Sequence, residues 1–186
     1  MTIGVSGAKG SFSEEAGLTY ARKENIENPS ISYLVTVEAV LSALDDNSID
    51  IGIFPIENSN GGIVIEAVYA MAKHLFSVEK MFEIDVHHNL LVFPGTTAEQ
   101  VTTIASHDQA LKQCRMYVKR KWPGVDLLPY ADTAKAAQDL ASGVLPKNTA
   151  VIASKATAPL YGLEILEESI QDLKFNYTSF VVAKKG

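Results

Sequence analysis

The stretch Pro55-Ile56-Glu57-Asn58-Ser59-Asn60-Gly61-Gly62 is the most unusual in the chain. It follows an apolar run, Ile51 to Phe54, and sets a carboxylate, a carboxamide and a hydroxyl in one turn before two glycines. Glycines let a ligand approach the backbone closely. Glu57, Asn58 and Ser59 add groups suited to proton transfer and to holding a polar ligand. A second pattern is spread along the chain. Ser11, Thr36, Ser106, Thr133 and Ser154 each stand where an extended segment gives way to a helical one. A helix N-terminus carries unsatisfied N–H groups and partial positive charge, and in α/β sheets these ends gather at the carboxyl edge of the strands. Singly, each is an ordinary N-cap, since Ser and Thr are among the commonest caps. Together they point to a small anionic ligand.

Other reactive residue types offer less. His87 and His88 are adjacent on an expected strand and so face opposite ways, while His74 and His107 have no partner at metal-ligand spacing, so no metal site is expected. Gly7-Ala8-Lys9-Gly10 has too few glycines, at the wrong spacing, for a nucleotide fingerprint. Cys114 reads as a packing residue, and as the single cysteine it excludes an internal disulfide. Lys119-Arg120-Lys121 ends a helix, where cations favour the dipole.

Positioning these groups requires a folded core, and the composition supplies one. The chain has 186 residues, 47% of them hydrophobic, with a formal net charge of −6. That excludes a disordered chain. The acidic balance, with a pI near 5.2, argues against nucleic acid as partner. No apolar run reaches the roughly 18 residues of a membrane span, and no leader precedes the first strand, so a cytoplasmic protein is expected. Short apolar runs alternate with helical patterns: Ile3–Val5, a helix from Phe12 to Lys23, Ile31–Val35, a helix from Val37, Ile51–Phe54, and a stripe from Ile63 to Met71. Phe82 to Phe93 is a longer extended segment, long enough to cross between two lobes. After it come Thr103–Ala105, a helix from Ser106 to Lys121, Val125–Leu128, a helix from Thr133 to Ala141, Ala150–Ala153, a helix from Ser154 to Tyr161 capped by Gly162, and Ser179–Ala183. Such alternation predicts α/β layering with a largely parallel sheet.

Several of these segments resemble one known family. Gly7 to Ala16 is similar to the opening motif of prephenate dehydratases, and Pro55 to Gly62 to that family's Pro-x-Glu-Asn-Ser-x-x-Gly segment. Ser106-His107-Asp108-Gln109-Ala110-Leu111-Lys112-Gln113-Cys114 resembles Ser-His-Pro-Gln-Ala-Leu-x-Gln-Cys, with Asp108 in place of the proline. Asp132 to Ala137 and Ala153 to Leu163 match two further blocks in order, and Asn176-Tyr177-Thr178-Ser179-Phe180 stands where the family has Asn-x-Thr-Arg-Phe. The resemblance spans essentially the whole chain.

The resemblance implies a two-lobed type II periplasmic-binding-protein fold with its active site in the interlobe cleft. One lobe is expected from residues 1–77 with 176–186, the other from 78–175. It implies conversion of prephenate to phenylpyruvate with loss of carbon dioxide and water, in phenylalanine biosynthesis, with no cofactor and no metal. The chain ends at its last strand, where many family members continue into an ACT domain. By position, Asn58, Ser106, Gln113 and Thr178 are the carried-over site residues, with the Thr178 hydroxyl closest to catalysis. A threonine is too weak an acid to supply a proton alone, so Glu57 or a held water completes the transfer. Ser59, Ser11 and Thr133 join the set as expected ligand contacts. Ser179 departs from the motif. Losing a charge-assisted hydrogen bond costs roughly 1.5–3 kcal/mol, so either Lys9, Lys135 or Lys155 takes over from the arginine or the activity has diverged. A prephenate decarboxylase, an arogenate dehydratase and a non-catalytic small-anion binding module are the alternatives. A homodimer or higher homo-oligomer is the base-rate expectation.

Overall fold

The Ser11 hydroxyl accepts the Glu14 N–H at 3.3 Å, which starts α1 (Phe12–Lys23) where the sequence predicts it. Thr36 does the same for α2 (Val37–Asp45), accepting from Ala39 N at 3.1 Å. In the computed structural model, which describes residues 1–186, these helices belong to the first of two units, Met1–Asp85 with Tyr177–Gly186. Its sheet runs in the order β2 (Ser30–Tyr33), β1 (Thr2–Val5), β3 (Ile51–Asn58), β11 (Tyr177–Lys185), β5 (Phe76–Asp85), and β4 (Gly62–Ile63) pairs with the end of β3.

The largely parallel sheet expected from the alternation is only half right. β1 lies parallel to β2 and β3, but β11 is antiparallel to both β3 and β5. The final strand therefore enters the sheet interior, where Phe180, Val181, Val182 and Ala183 are all buried. Tyr20 of α1 stacks on Phe82, and Phe82 on Phe180, at centroid separations of 6.3 and 6.1 Å. α2 and α3 (Ile65–Met71) join a core that includes Phe54, Val181 and Ala183. Gly52 leaves room for that packing: a Cβ at that position would stand 2.7 Å from Val40 Cγ1, which would have to shift.

The second unit is Val86–Asn176. Its sheet is ordered β10 (Glu164–Glu167), β6 (Asn89–Val92), β9 (Thr149–Ala153), β7 (Thr103–His107), β8 (Asp126–Tyr130). β7 is parallel to β8 and β9, while β6 is antiparallel to β9 and β10. β6 and β9 are buried along their whole length, as strands covered on both faces should be. The unit boundaries fall at Asp85/Val86 and Asn176/Tyr177 rather than 77/78 and 175/176, because β5 pairs with β11 over its full length. His87 and His88 sit in the connection before β6, not on a strand.

Three expected caps are corrected by the local geometry. The segment from Ser106 to Lys121 is two short helices, α4 (Asp108–Gln113) and α5 (Arg115–Lys121), broken at Cys114, and the side chain that caps α4 is His107. Asp132, not Thr133, caps α6 (Thr133–Ala141) by accepting from Lys135 N at 2.9 Å. α7 spans Thr157–Tyr161, three residues beyond Ser154, and ends at Gly162 in the left-handed conformation, φ 66°. Only Ser11 and Thr36 are caps as read.

Candidate functional site

In the first unit the chemistry gathers where β3 ends beside the start of β11. Register pairs Asn58 with Thr178 and Glu57 with Ser179. Side chains alternate along a strand, so Asn58 and Thr178 share one face while Glu57 and Ser179 share the other. Both Asn58 and Thr178 are buried. The Asn58 carboxamide has one possible orientation. Its Oδ1 accepts the backbone N–H groups of Asn60 at 2.9 Å and Gly61 at 2.8 Å, which can only donate. Its Nδ2 donates to the Tyr177 carbonyl at 3.2 Å and to Thr178 Oγ1 at 2.9 Å. Thr178 is therefore the acceptor in that pair, and its own O–H proton is directed elsewhere. A donor on Oγ1 also polarises the O–H outward, since linked hydrogen bonds strengthen one another.

Ser59 serves the same corner as a brace. Its N–H donates to the Tyr177 carbonyl at 2.8 Å and its Oγ accepts the Tyr177 N–H at 3.0 Å. Glu57 is exposed on the opposite face, so the structure does not bring it to the Thr178 hydroxyl. Ser179 lies between two carboxylates, opposite Glu57 on β3 and Glu83 on β5, and donates to Glu83 Oε1 at 3.2 Å. A motif arginine at this position would meet those two acids. Ser11 is buried with its hydroxyl on the helix N–H. Nearby Ser6, at the end of β1, was missed in the sequence. Its Oγ is enclosed with no protein hydrogen-bond partner, and the only signal for it is its place at a strand's carboxyl end.

In the second unit Gln113 is held from two sides. Asn176 Nδ2 donates to the Val86 carbonyl at 3.0 Å and to Gln113 Oε1 at 3.0 Å, and His88 Nε2 lies 2.6 Å from the same oxygen. Ser106 is fully buried, and its hydroxyl donates to the Ile152 carbonyl at 2.6 Å, tying β7 to β9. Thr133 is the first residue of α6 and half-buried. Of the cations offered in place of the missing arginine, Lys135 pairs with Asp139 at 2.7 Å and Lys155 with Glu168 at 2.8 Å, while Lys9 is exposed. No group of three or more His, Cys, Asp or Glu side chains converges, and no helix is long and apolar enough to cross a membrane. Hydroxyls and carboxamides are what the two units present.

Comparison with known proteins agrees with the motifs. The prephenate dehydratase family model matches residues 3–186. Arogenate dehydratase 1 of Petunia hybrida is 35% identical over 98% of this chain and 42% of its own. Prephenate dehydratase of Methanocaldococcus jannaschii is 34% identical over 95% of this chain and 62% of its own. The chain thus spans 42–62% of the length of these curated relatives. The crystal structure of prephenate dehydratase from Arthrobacter aurescens, in complex with L-Phe, superimposes with a TM-score of 0.89 at 25% identity, over all of this chain and 61% of that one. A periplasmic substrate-binding protein of an ABC transporter from Coxiella burnetii and a putative methionine-binding lipoprotein from Bacillus subtilis share the fold alone, at 14% and 13% identity with TM-scores of 0.52 and 0.54.

Proposed function

The chain belongs to the prephenate dehydratase family, and from that premise we propose that it converts prephenate to phenylpyruvate. The observation that carries this reading is the fixed Asn58–Thr178 pair, 2.9 Å apart with Thr178 as acceptor. Prephenate aromatises when its ring carboxylate leaves as carbon dioxide. The electron pair of the broken C–C bond enters the ring, and the C–O bond to the ring hydroxyl breaks at the far side. One proton joins the departing hydroxide to make water. The Thr178 O–H, held outward by Asn58, donates a hydrogen bond to that hydroxyl as charge develops on it. Thr178 ends the step protonated as it began: any proton its hydroxyl passes to the departing hydroxide is replaced from solvent, so the net reaction takes up one proton from solvent, Glu57 being on the other face of the sheet. An enzyme that only decarboxylated would have no need of this donor.

The reading includes a cytoplasmic location and a homo-oligomeric state, checked by cell fractionation and light scattering. Product analysis of the purified protein with prephenate tests the activity. Phenylpyruvate is expected. A decarboxylated product that keeps its hydroxyl, turnover confined to arogenate, or binding without turnover would each overturn the reading.

A further inference from the structure

The sequence of α3, Ile65-Glu66-Ala67-Val68-Tyr69-Ala70-Met71, is apolar on two sides, and the fold of the first unit uses one of them. Ala67 and Ala70 turn inward and join the core shared with α2. Ile65, Val68, Tyr69 and Ala72 recur at i, i+3, i+4 and i+7, the spacing of one continuous helix face. All four are exposed, Ile65 by 58% and Tyr69 by 68%. A helix that is apolar all round is ordinarily enclosed. Two neighbours enlarge the patch. Ile63, on β4 just before the helix, is 62% exposed. Val35 is held outward in a three-residue turn, at φ 64°, with the Thr36 N–H donating to the Leu34 carbonyl at 2.7 Å. That backbone conformation is rare for a β-branched residue. It lies near the start of α3, because the Val37 N–H donates to Glu66 Oε1 at 3.2 Å. Exposed together, these side chains make a patch on the order of a few hundred Å², the size that marks interaction sites.

The charges beside this face select its occupant. Glu66 stands in the first turn of α3 and Lys73 just past its last. Seven residues are close to two helical turns, so the acid and the base lie on the same flank of the apolar face. Two copies of α3 laid antiparallel about a two-fold axis bring the start of each helix to the end of the other. Glu66 then meets the partner's Lys73, Ile65 the partner's Ala72, and Val68 the partner's Tyr69. Every contact is made twice, the isologous symmetry of most homodimers. Lys73 is 63% exposed, bonded to Glu38, and keeps donors for a second acid. A stable interface needs about 800 Å² on each partner, with an apolar centre inside a polar rim. The patch supplies that centre, and Glu38, Glu66 and Lys73 the rim. A lipid surface would instead require a rim rich in Lys and Arg.

We propose that the exposed face of α3 is where a second copy of this chain docks, in an antiparallel two-fold pairing centred between Val68 and Tyr69. The inference deepens the homo-oligomeric part of the dehydratase reading and rests on it.

Light scattering and sedimentation of the full chain, from micromolar to near-millimolar concentration, test it. The wild type should dimerise. Tyr69→Asp and Val68→Asp each set a carboxylate in the centre of the pairing and should raise the dimer Kd at least about tenfold, as loss of a central interface contact does. Both side chains are exposed in the single chain, so melts recorded where the wild type is monomeric should not change. Orientation is read by cross-linking. Cys114 is buried, so introduced cysteines report alone. Oxidising a mixture of Ile65→Cys and Ala72→Cys chains should give the mixed disulfide dimer in excess over either homodimer. If the Asp variants fold poorly, this cross-link decides. A wild-type dimer whose Kd is unmoved in folded Tyr69→Asp and Val68→Asp variants overturns the proposal and leaves the homo-oligomeric state to another surface. Homodimeric disulfides prevailing over the mixed one overturn the antiparallel pairing. A wild type that stays monomeric throughout overturns the proposal and the homo-oligomeric reading together. Turnover of prephenate is scored separately, so its failure would strike the dehydratase reading and leave these results as they stand.

Discussion

Thr178 and Asn58 form a pair whose hydrogen-bond direction can be reversed with a single atom. In Asn58→Asp the carboxylate keeps accepting from Asn60 and Gly61, so the turn survives. Its other oxygen can no longer donate, and the Thr178 proton turns inward to it. A fall in kcat of about 10²-fold is expected, the cost of one oriented donor, with KM for prephenate nearly unchanged in steady-state assays. Thr178→Val deletes the hydroxyl at similar shape and should lose at least as much, again in kcat; near-normal kcat in either variant would remove this pair from the mechanism. Ser179 makes the opposite forecast. A guanidinium in Ser179→Arg enters the row between Glu57 and Glu83, on the face away from Thr178. Exposed pairs of this kind contribute about 0.2–1 kcal/mol each. Calorimetry should therefore show a higher Tm, while kcat/KM moves by less than about twofold. A large rate gain that shrinks with added salt would instead mean the side chain reaches the ligand.

At the scale of elements, α2 and the turn after α3 are joined by a histidine between two acids. His74 Nδ1 meets Asp45 Oδ2 at 2.6 Å and Nε2 meets Glu38 Oε1 at 3.1 Å, and Lys73 adds a bond to Glu38. The Asp45 hydrogen bond chiefly, with that of Glu38 and against partial desolvation, raises the His74 pKa above its ordinary value. A raised folded-state pKa means the stabilisation is complete below the unfolded value of 6.5 and fades as pH climbs through the folded one. The Tm difference between wild type and His74→Gln should accordingly be largest near pH 6 and shrink toward pH 9. A gap that widened with pH would contradict the charged clamp. Packing of α2 on β3 gives a second forecast. A methyl at Gly52 meets the stiff, β-branched Val40 at 2.7 Å, and overpacking of this kind costs about 1–3 kcal/mol. Denaturant unfolding of Gly52→Ala reads that loss directly.

For the molecule as a whole, the consequential fact is that the last strand completes the first sheet. β11 lies between β3 and β5, and it also carries Thr178. Deleting Tyr177–Gly186 should therefore do more than remove the Thr178 hydroxyl. It leaves Phe54, Phe82 and the edge of β3 without their neighbours. NMR amide spectra of the truncated chain should lose the dispersed signals of Met1–Asp85, and intact signals there would show that β11 is dispensable for the fold.

Much of this was legible in the sequence, and the division has a physical basis. α1 and α6 begin and end as predicted, and Gly162 caps α7, because caps and apolar periodicity act within four or five residues. The family and the prominence of Asn58 and Thr178 also came from local motifs. What the sequence alone could not decide was which way those motifs face. Glu57 and Asn58 are adjacent in the chain, yet pairing with a strand 120 residues away sends one to the exposed face and the other against Thr178. Ser106 reads as a helix cap and becomes a buried tie to Ile152, because strand β9, 46 residues on, arrives beside it. His88 shows no ligand spacing in the sequence; only the return of the chain through Asn176 sets it beside Gln113. Composition and short-range pattern determined the elements and their chemistry. Register between distant strands, where a slip of one residue exchanges the two faces, decided which of those groups meet.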